Sequence, residues 1–345
     1  MTLEGGTKGI IVDARSLSAD VQPRRVVGRD KQICKLGRQL TRAERLAGSH
    51  AWLYGLAGSG KTTVSRRVAG RVDEGLEAVC LVNCWQNRTL HSVLQTITYE
   101  LRIFMAENTD TGLKTHRIRQ ALRGRPLVVI LDEIDRPMPA QRQEILYGLL
   151  QVPEVSLICI ANSVQPLATL DERIRSRMSP ALIEFPPYTD EQLAEILTDR
   201  AEMGLASGSW SRQVLRRVAS AANGDARAAI HILRQAAAVA EEDDSPRIKP
   251  KHSAGPIGRQ RMVNAEARLV KLTEDERMIR AIAADRGPLG TLDLRRRYLD
   301  QCESVGHPPI AERTFTKYIR RLASAGLLSI SDYPQANRGR LVRAA

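Results

Sequence analysis

Gly55-Leu56-Ala57-Gly58-Ser59-Gly60-Lys61-Thr62 fits the pattern G-x-x-x-x-G-K-[ST], directly after the apolar run AWLY and before the helical stretch TTVSRRVAG that Thr62 and Thr63 open. Three glycines let the backbone close around a chain of phosphates. Backbone N–H groups and the positive end of the following helix then face the negative charge. In that setting Lys61 reaches the β and γ phosphates and Thr62 holds Mg²⁺. The expected ligands are ATP or ADP with Mg²⁺.

A second acidic constellation follows. Leu127 to Asp135 reads LVVILDEID, a buried strand ending in carboxylates, and in an open parallel sheet the carboxyl ends of the strands converge on the ligand. Asp132 then faces the Mg²⁺ and Glu133 is the candidate to orient or deprotonate an attacking water. Asp135 is expected to point elsewhere, capping the next helix. VSLICIAN ends another strand in Asn162, a candidate partner for the γ-phosphate or its water. Arg227 opens the helix DARAAIHILR, from which it can reach back over the phosphates. Arg173, Arg175 and Arg177 crowd ERIRSRM, where an arginine can serve a nucleotide on a neighbouring copy.

The elements that position these residues are legible as short apolar runs alternating with helical segments. AWLYG, AVCLVN, PLVVILD, VSLICIAN and ALIEF read as five buried strands of a parallel sheet between residues 26 and 187. Residues 188–240 carry three helix-spaced segments and no strand, a small helical bundle. Residues 1–25 lack a sustained period and are expected to be a flexible arm. Residues 241–264, with an acidic run and several prolines and glycines, read as a linker, and residues 265–345 as a further unit. Trp52, Trp85 and Trp210 are assigned to core or bundle packing.

With 345 residues, 43% hydrophobic and 26% charged, the composition is that of a folded globular protein of two or three domains. No apolar run is long enough to span a membrane, and the N-terminal residues lack a signal-peptide pattern, so the expected location is cytoplasmic and nucleoid-associated. Five scattered cysteines without a C-x-x-C pair exclude a zinc site and read as reduced core thiols. Net charge is +13, and from Ser245 onward 20 Lys and Arg stand against 10 Asp and Glu. A basic surplus gathered at one end points to a polyanionic partner.

That end has the pattern of a DNA-binding unit. TEDERMIRAIAA and TLDLRRRYLDQCESVG are helical by period, and in Ile310 to Ala325 the residues Phe315, Ile319 and Leu322 share one face. Arg313, Lys317, Arg320 and Arg321 fall largely on the other. GLLSISDYPQANRGRLVRAA reads as two strands around a basic tip with Arg338 and Arg340. A helix in the major groove with a wing beside it is the expected docking, with base contacts from the helix start (Arg313, Thr314, Thr316) and phosphate contacts from its end.

VVGRD, GLAGSGKTT, LDEID, the strand ending in Asn162, LDERIRSRM, FPPYTDEQLAEIL and GDARAAIHILRQA occur in an order that resembles the AAA+ ATPases of the origin-recognition group, most closely the archaeal Orc/Cdc-type replication initiators. The resemblance implies an α/β AAA+ P-loop domain with a parallel five-stranded sheet, an α-helical lid and a C-terminal winged helix. It makes Lys61 and Thr62 the Walker A pair and Asp132 and Glu133 the Walker B pair. Asn162 becomes the first sensor and Arg227 the second. Arg177 becomes the arginine finger, with Arg173 as second choice. Val27, Gly28 and Arg29 are expected at the adenine pocket, and Thr63 and Tyr188 among the nucleotide contacts. An extra helix that touches DNA is expected within Trp85 to Leu101.

The implied function is an ATP-dependent replication initiator that binds duplex origin DNA and helps recruit or load a replicative helicase of the minichromosome-maintenance type. Slow ATP hydrolysis would act as the switch, and copies would associate through the finger. Two other readings use the same parts: an AAA+ ATPase acting on protein partners with non-specific DNA binding, such as a transposition helper or signalling NTPase, and an initiator paralogue acting as a transcription regulator.

Overall fold

Strands buried on both faces read as unbroken apolar runs, as the inner strands of a five-stranded sheet do here. A computed structural model describes residues 9–45, 48–70, 78–270, 272–285, 288–324, 327–332 and 340–344. Strands β1 (Ala51–Tyr54), β2 (Ala78–Asn83), β3 (Leu127–Asp132), β4 (Val155–Ala161) and β5 (Ala181–Glu184) make one parallel sheet in the order β2-β3-β4-β1-β5. Alternation along β3 sends Val129 and Leu131 to one face and Val128 and Ile130 to the other. Helices α1 (Asp30–Arg45) and α2 (Lys61–Ala69) cover the second face with Leu36, Leu40, Val64 and Val68. The first face is covered by α3 (Leu90–Glu100), α4 (Thr111–Leu122), α5 (Pro139–Leu150), the short α6 (Gln165–Ala168) and α7 (Glu172–Met178). Helix α3 falls inside the Trp85 to Leu101 segment, begun by a capping box between Thr89 and Ser92.

After β5 come α8 (Asp190–Gly204), α9 (Arg212–Ala221) and α10 (Ala226–Glu242), each started by a side-chain cap from Thr189, Ser211 and Asp225 respectively. Their alanine- and leucine-rich faces close into a separate core. The expected arm does not hold for its described part. Ile10 and Leu17 are buried in this lid core, Ile11 bridges to Leu205, and the buried Arg200 donates to the carbonyls of Ser16 (3.2 Å) and Val21 (2.6 Å). Two apolar side chains and a guanidinium that satisfies free carbonyls order a segment without internal periodicity.

The expected linker is corrected in the same way. Ile248 and Ile257 are buried in the lid core, and α11 (Pro250–Val270) runs through most of the segment, with Pro256 inside it. Proline at the first helical position needs no N–H there, and the apolar anchors outweigh the weak helical composition. The irregular stretch is confined to residues 243–249.

The chain divides into two compact units, Met1–Ile257 and Gly258–Ala345. In the second, α12 (Glu274–Asp285), α13 (Thr291–Val305) and α14 (Glu312–Ser324) pack around Ile279, Leu294, Tyr298, Phe315, Ile319, Leu322 and Val342. An antiparallel sheet joins β6 (Leu289–Gly290), β8 (Arg340–Ala344) and β7 (Leu328–Asp332) in the order β6-β8-β7. Three helices with this small sheet make a winged helix. Strand β6, two residues long, has no sequence signal. Arg338 lies outside the described residues, and Arg340 begins β8. Among the described residues no helix is long and apolar enough to cross a membrane.

Candidate functional site

A cavity of about 360 Å³ opens at the carboxyl ends of β2, β3 and β4, beside the loop that follows β1, within the size range of small-molecule sites. Gly58 and Gly60 adopt φ of +69° and +88°, and a Cβ on them would lie 1.8 Å from Asp225 Oδ1 and 2.3 Å from the Tyr188 hydroxyl. Only glycine fits both the backbone and the space. The loop feeds directly into α2, whose first residue is Lys61. The Lys61 ammonium donates to the carbonyls of Gly55 (2.6 Å) and Leu56 (2.8 Å). Burial pulls its pKa down to about 8, with Asp132 opposing the shift.

Thr62 Oγ1 donates to Asp132 Oδ2 at 2.8 Å, so the two residues expected on Mg²⁺ already meet. Among the described residues no cluster of three His, Cys, Asp or Glu side chains could hold a metal. A Mg²⁺ ion held by Thr62 and Asp132 would keep phosphate and water among its ligands, its usual state at a nucleotide. A glycine cradle, a lysine and a Thr/Asp pair fit MgATP.

Glu133 follows Asp132 with φ +56°, a left-handed conformation uncommon outside glycine. Its N–H donates to Asp132 Oδ1 (3.0 Å), and its carboxylate stands 3.9 Å from Arg136 Nε. Asn162 lies across the cavity and donates through Nδ2 (2.8 Å) and its backbone N–H (3.4 Å) to Asp135 Oδ2. Asp135 thus lines the cavity and caps no helix; α5 starts later, at Pro139 behind Met138. Arg227, in the first turn of α10, lines the cavity from the lid, and its charge contributes to lowering the Lys61 pKa. Leu56 stands 63% exposed on the loop, and Thr63 lines the cavity beside Thr62.

Of the three residues expected at the adenine pocket, one lines the cavity. Val27 lines the cavity with Val26 and residues 19–23, whereas Gly28 and Arg29 do not. Arg29 is buried as a clamp, donating to Ser59 O (3.0 Å) and Pro186 O (2.6 Å) with its guanidinium 3.8 Å from the Tyr188 ring centroid. Tyr188 itself lines the cavity, and burial raises its pKa.

Arg173 and Arg177 lie on α7 and line no part of this cavity; Arg177 donates to Leu150 O at 2.9 Å. Trp52 is fully buried and Trp210 packs on the lid core, but Trp85 is 48% exposed with Arg136 4.5 Å and Arg88 5.4 Å from its ring. Cys34 is exposed, while Cys80, Cys84, Cys159 and Cys302 are buried. Asn83, Arg66, Arg136 and Asp135 were not singled out for the cavity by sequence. Asn83 ends β2 beside Asp132, so the strand-end rule that found Asp132 could have found it.

In the winged helix, Phe315, Ile319 and Leu322 are buried and Arg313, Lys317 and Arg320 face outward, with Thr314 and Thr316 half-buried. Arg321 differs from them. Its guanidinium is 3.3 Å from the fully buried carboxylate of Glu276, because α12 brings that acid against α14. Arg321 is an internal clamp as much as a surface cation.

Residues 25–160 match the AAA ATPase domain family and residues 194–254 the Cdc6 AAA+ ATPase-type lid domain. Fold and site together define an AAA+ ATPase with a Cdc6-type lid and a winged helix. ORC1-type DNA replication protein 9 of Halobacterium salinarum is 32% identical over 331 residues, covering 92% of this chain and 90% of its own. The Aeropyrum pernix ORC1 protein, solved in complex with DNA, superposes with a TM-score of 0.65 at 25% identity, covering 97% of this chain and 94% of that one. The Aeropyrum pernix ORC2 protein, solved as ADPNP-ADP complexes, gives a TM-score of 0.77 at 24% identity over 98% and 94%. The chain belongs to the family of ORC1-type DNA replication proteins.

Proposed function

We propose that this protein is an ATP-controlled initiator of DNA replication. It binds duplex origin DNA through its winged helix and helps recruit or load a replicative helicase of the minichromosome-maintenance type. The observation that carries the DNA reading is the exposed row Arg313, Lys317 and Arg320 on α14, with Thr316 half-buried beside them and Phe315, Ile319 and Leu322 packed inward. A rigid helix with a cationic outer face suits the major groove. Support also comes from the name of the Halobacterium relative and from the Aeropyrum ORC1 protein having been solved with DNA.

ATP is the switch. Lys61 and the loop amides hold the phosphates, Thr62 and Asp132 hold Mg²⁺, and Glu133 orients the attacking water and takes its proton. Asn162 reads the γ-phosphate. Arg227 carries that reading to the lid, since it lies on the lid helix and lines the same cavity. When bound there, a divalent ion would supply charge neutralisation for the phosphates. Arg177, or else Arg173, acts on a neighbouring copy's nucleotide, which makes turnover slow in the isolated chain.

Binding of fragments of the organism's own genome, against scrambled duplexes, at physiological salt tests the DNA reading. An initiator prefers particular fragments by about a thousandfold or more. Equal affinities that collapse together with rising salt would favour an ATPase acting on protein partners.

A further inference from the structure

We infer that Asp135 is a positioning residue for Asn162. Its carboxylate oxygen Oδ2 accepts two hydrogen bonds from that one residue, at 2.8 Å from the side chain and 3.4 Å from the backbone. An ionised carboxylate only accepts. The nitrogen end of the Asn162 amide must therefore face Asp135, which fixes which way the amide is turned. Because the amide is planar, tying Nδ2 also fixes the directions of the second N–H and of both Oδ1 lone pairs. These are the groups a γ-phosphate or its attacking water meets. An untied asparagine at an exposed strand end rotates broadly about χ2.

The pairing is built from the sheet. Asp135 sits in the turn after β3 and Asn162 directly after β4, and these strands are neighbours with Leu131 opposite Cys159. Ile134 N–H donates to Ile160 O at 3.0 Å, which pins the turn to β4 one residue before Asp135. Beneath it, the buried Arg142 donates to the carbonyls of Ile134 (3.1 Å), Pro137 (3.2 Å) and Pro166 (3.4 Å). A rigid turn thus presents the carboxylate. The other oxygen, Oδ1, is buried without a hydrogen-bond partner among the described residues. The charge of the carboxylate is balanced in part by Arg142 beneath it and Lys61 across the cavity, both of which feel it, so its Oδ2 is free to serve the Asn162 amide. In this assignment Asp135 acts through the Asn162 amide.

The inference rests on the reading of Asn162 as the γ-phosphate sensor. Single-turnover ATP hydrolysis and ATP affinity, measured on the full chain for Asp135→Ala, Asp135→Asn, Asn162→Ala and the Asp135→Ala/Asn162→Ala double variant, separate the two. Expected is a loss in hydrolysis rate of about tenfold or more for Asn162→Ala and a loss of similar order for Asp135→Ala, with ATP affinity nearly unchanged. Asp135→Asn keeps an acceptor oxygen and most of the rate; a loss in it as large as that of Asn162→Ala would overturn the inference even where Asp135→Ala does not fold. The double variant is no slower than Asn162→Ala alone, the signature of two residues acting as one unit. Multiplying losses in the double variant, or wild-type hydrolysis by Asp135→Ala, would overturn the inference with the sensor reading intact. Wild-type hydrolysis by Asn162→Ala would remove the sensor reading, and the inference with it.

Discussion

The backbone N–H of Ala226 donates to the carbonyl oxygen of Gly58 at 3.2 Å. Ala226 is the first residue of lid helix α10, and Gly58 is the middle glycine of the phosphate loop. Asp225, which caps α10, packs against the same glycine. The lid and the phosphate cradle are thus joined where a nucleotide's phosphates would sit. Gly58→Ala puts a Cβ 1.8 Å from Asp225 Oδ1 at a φ of +69°. Expected is a loss of ATP affinity of at least about tenfold, with faster hydrogen exchange in the first turn of α10. Wild-type affinity and protection would show that the two elements are not coupled.

Lys61 gives nucleotide binding a pH dependence of defined sign. Its pKa in the free protein is drawn down to about 8 by burial. Phosphates favour the charged amine, so binding takes up a proton near that pH. As pH rises from about 7 to about 9 the charged fraction falls, and apparent ATP affinity weakens by about tenfold. Calorimetry in buffers of different ionisation enthalpy reads the proton uptake directly. No uptake at pH 8 would mean that the lysine stays fully charged without nucleotide.

The parts of the site legible in the sequence were those whose signal is local. Gly55 to Thr62 is one contiguous stretch, and β3 announces Asp132 because a strand covered on both faces reads as an unbroken apolar run. What could not be read was pairing at a distance. Asp135 and Asn162 are 27 residues apart and meet only through the register of β3 on β4. Ile10 and Leu17 find the lid core across nearly 200 residues, and Arg200 satisfies carbonyls that no nearby residue reaches. Arg29 carried a site signal but turned inward, since a guanidinium has enough donors to clamp two backbone carbonyls at once. Trp85, an aromatic in sequence, stands at the surface beside two arginines.

His50 links stability to acid. Its Nδ1 accepts from Leu157 N–H at 3.0 Å, and burial lowers its pKa from 6.5 to about 4. Above about pH 6.5 the ring is neutral in both folded and unfolded chains, and the stabilisation is complete. Between there and pH 4 the unfolded chain takes up a proton that the folded one resists, so stability falls, by up to about 3 kcal/mol. Urea unfolding at pH 7 and pH 4.5 measures it. In His50→Gln, which retains an acceptor for Leu157, that part of the pH dependence should vanish; an unchanged slope would assign it to other groups.

Arg321 should separate from its neighbours on α14. It pairs with the fully buried Glu276 while its own side chain is 57% exposed, so Arg321→Ala leaves a buried acid without its cation. Expected is a loss of roughly 1–3 kcal/mol, discounted for that exposure. Lys317→Ala and Arg320→Ala should leave Tm unchanged, weaken duplex binding and each lower the salt slope by about one. Equal Tm for all three variants would place Arg321 with the surface cations.

The most direct test of ATP-controlled, site-specific DNA binding is a nuclease footprint of the full-length protein on its own genomic DNA at physiological salt. It is run with ATP, with ADP, and with the Lys61→Ala variant in ATP. The expected result is a discrete protected site whose extent or strength changes between ATP and ADP, and which in Lys61→Ala no longer responds to nucleotide. Uniform coating that fades with salt and is the same in all three conditions would contradict it.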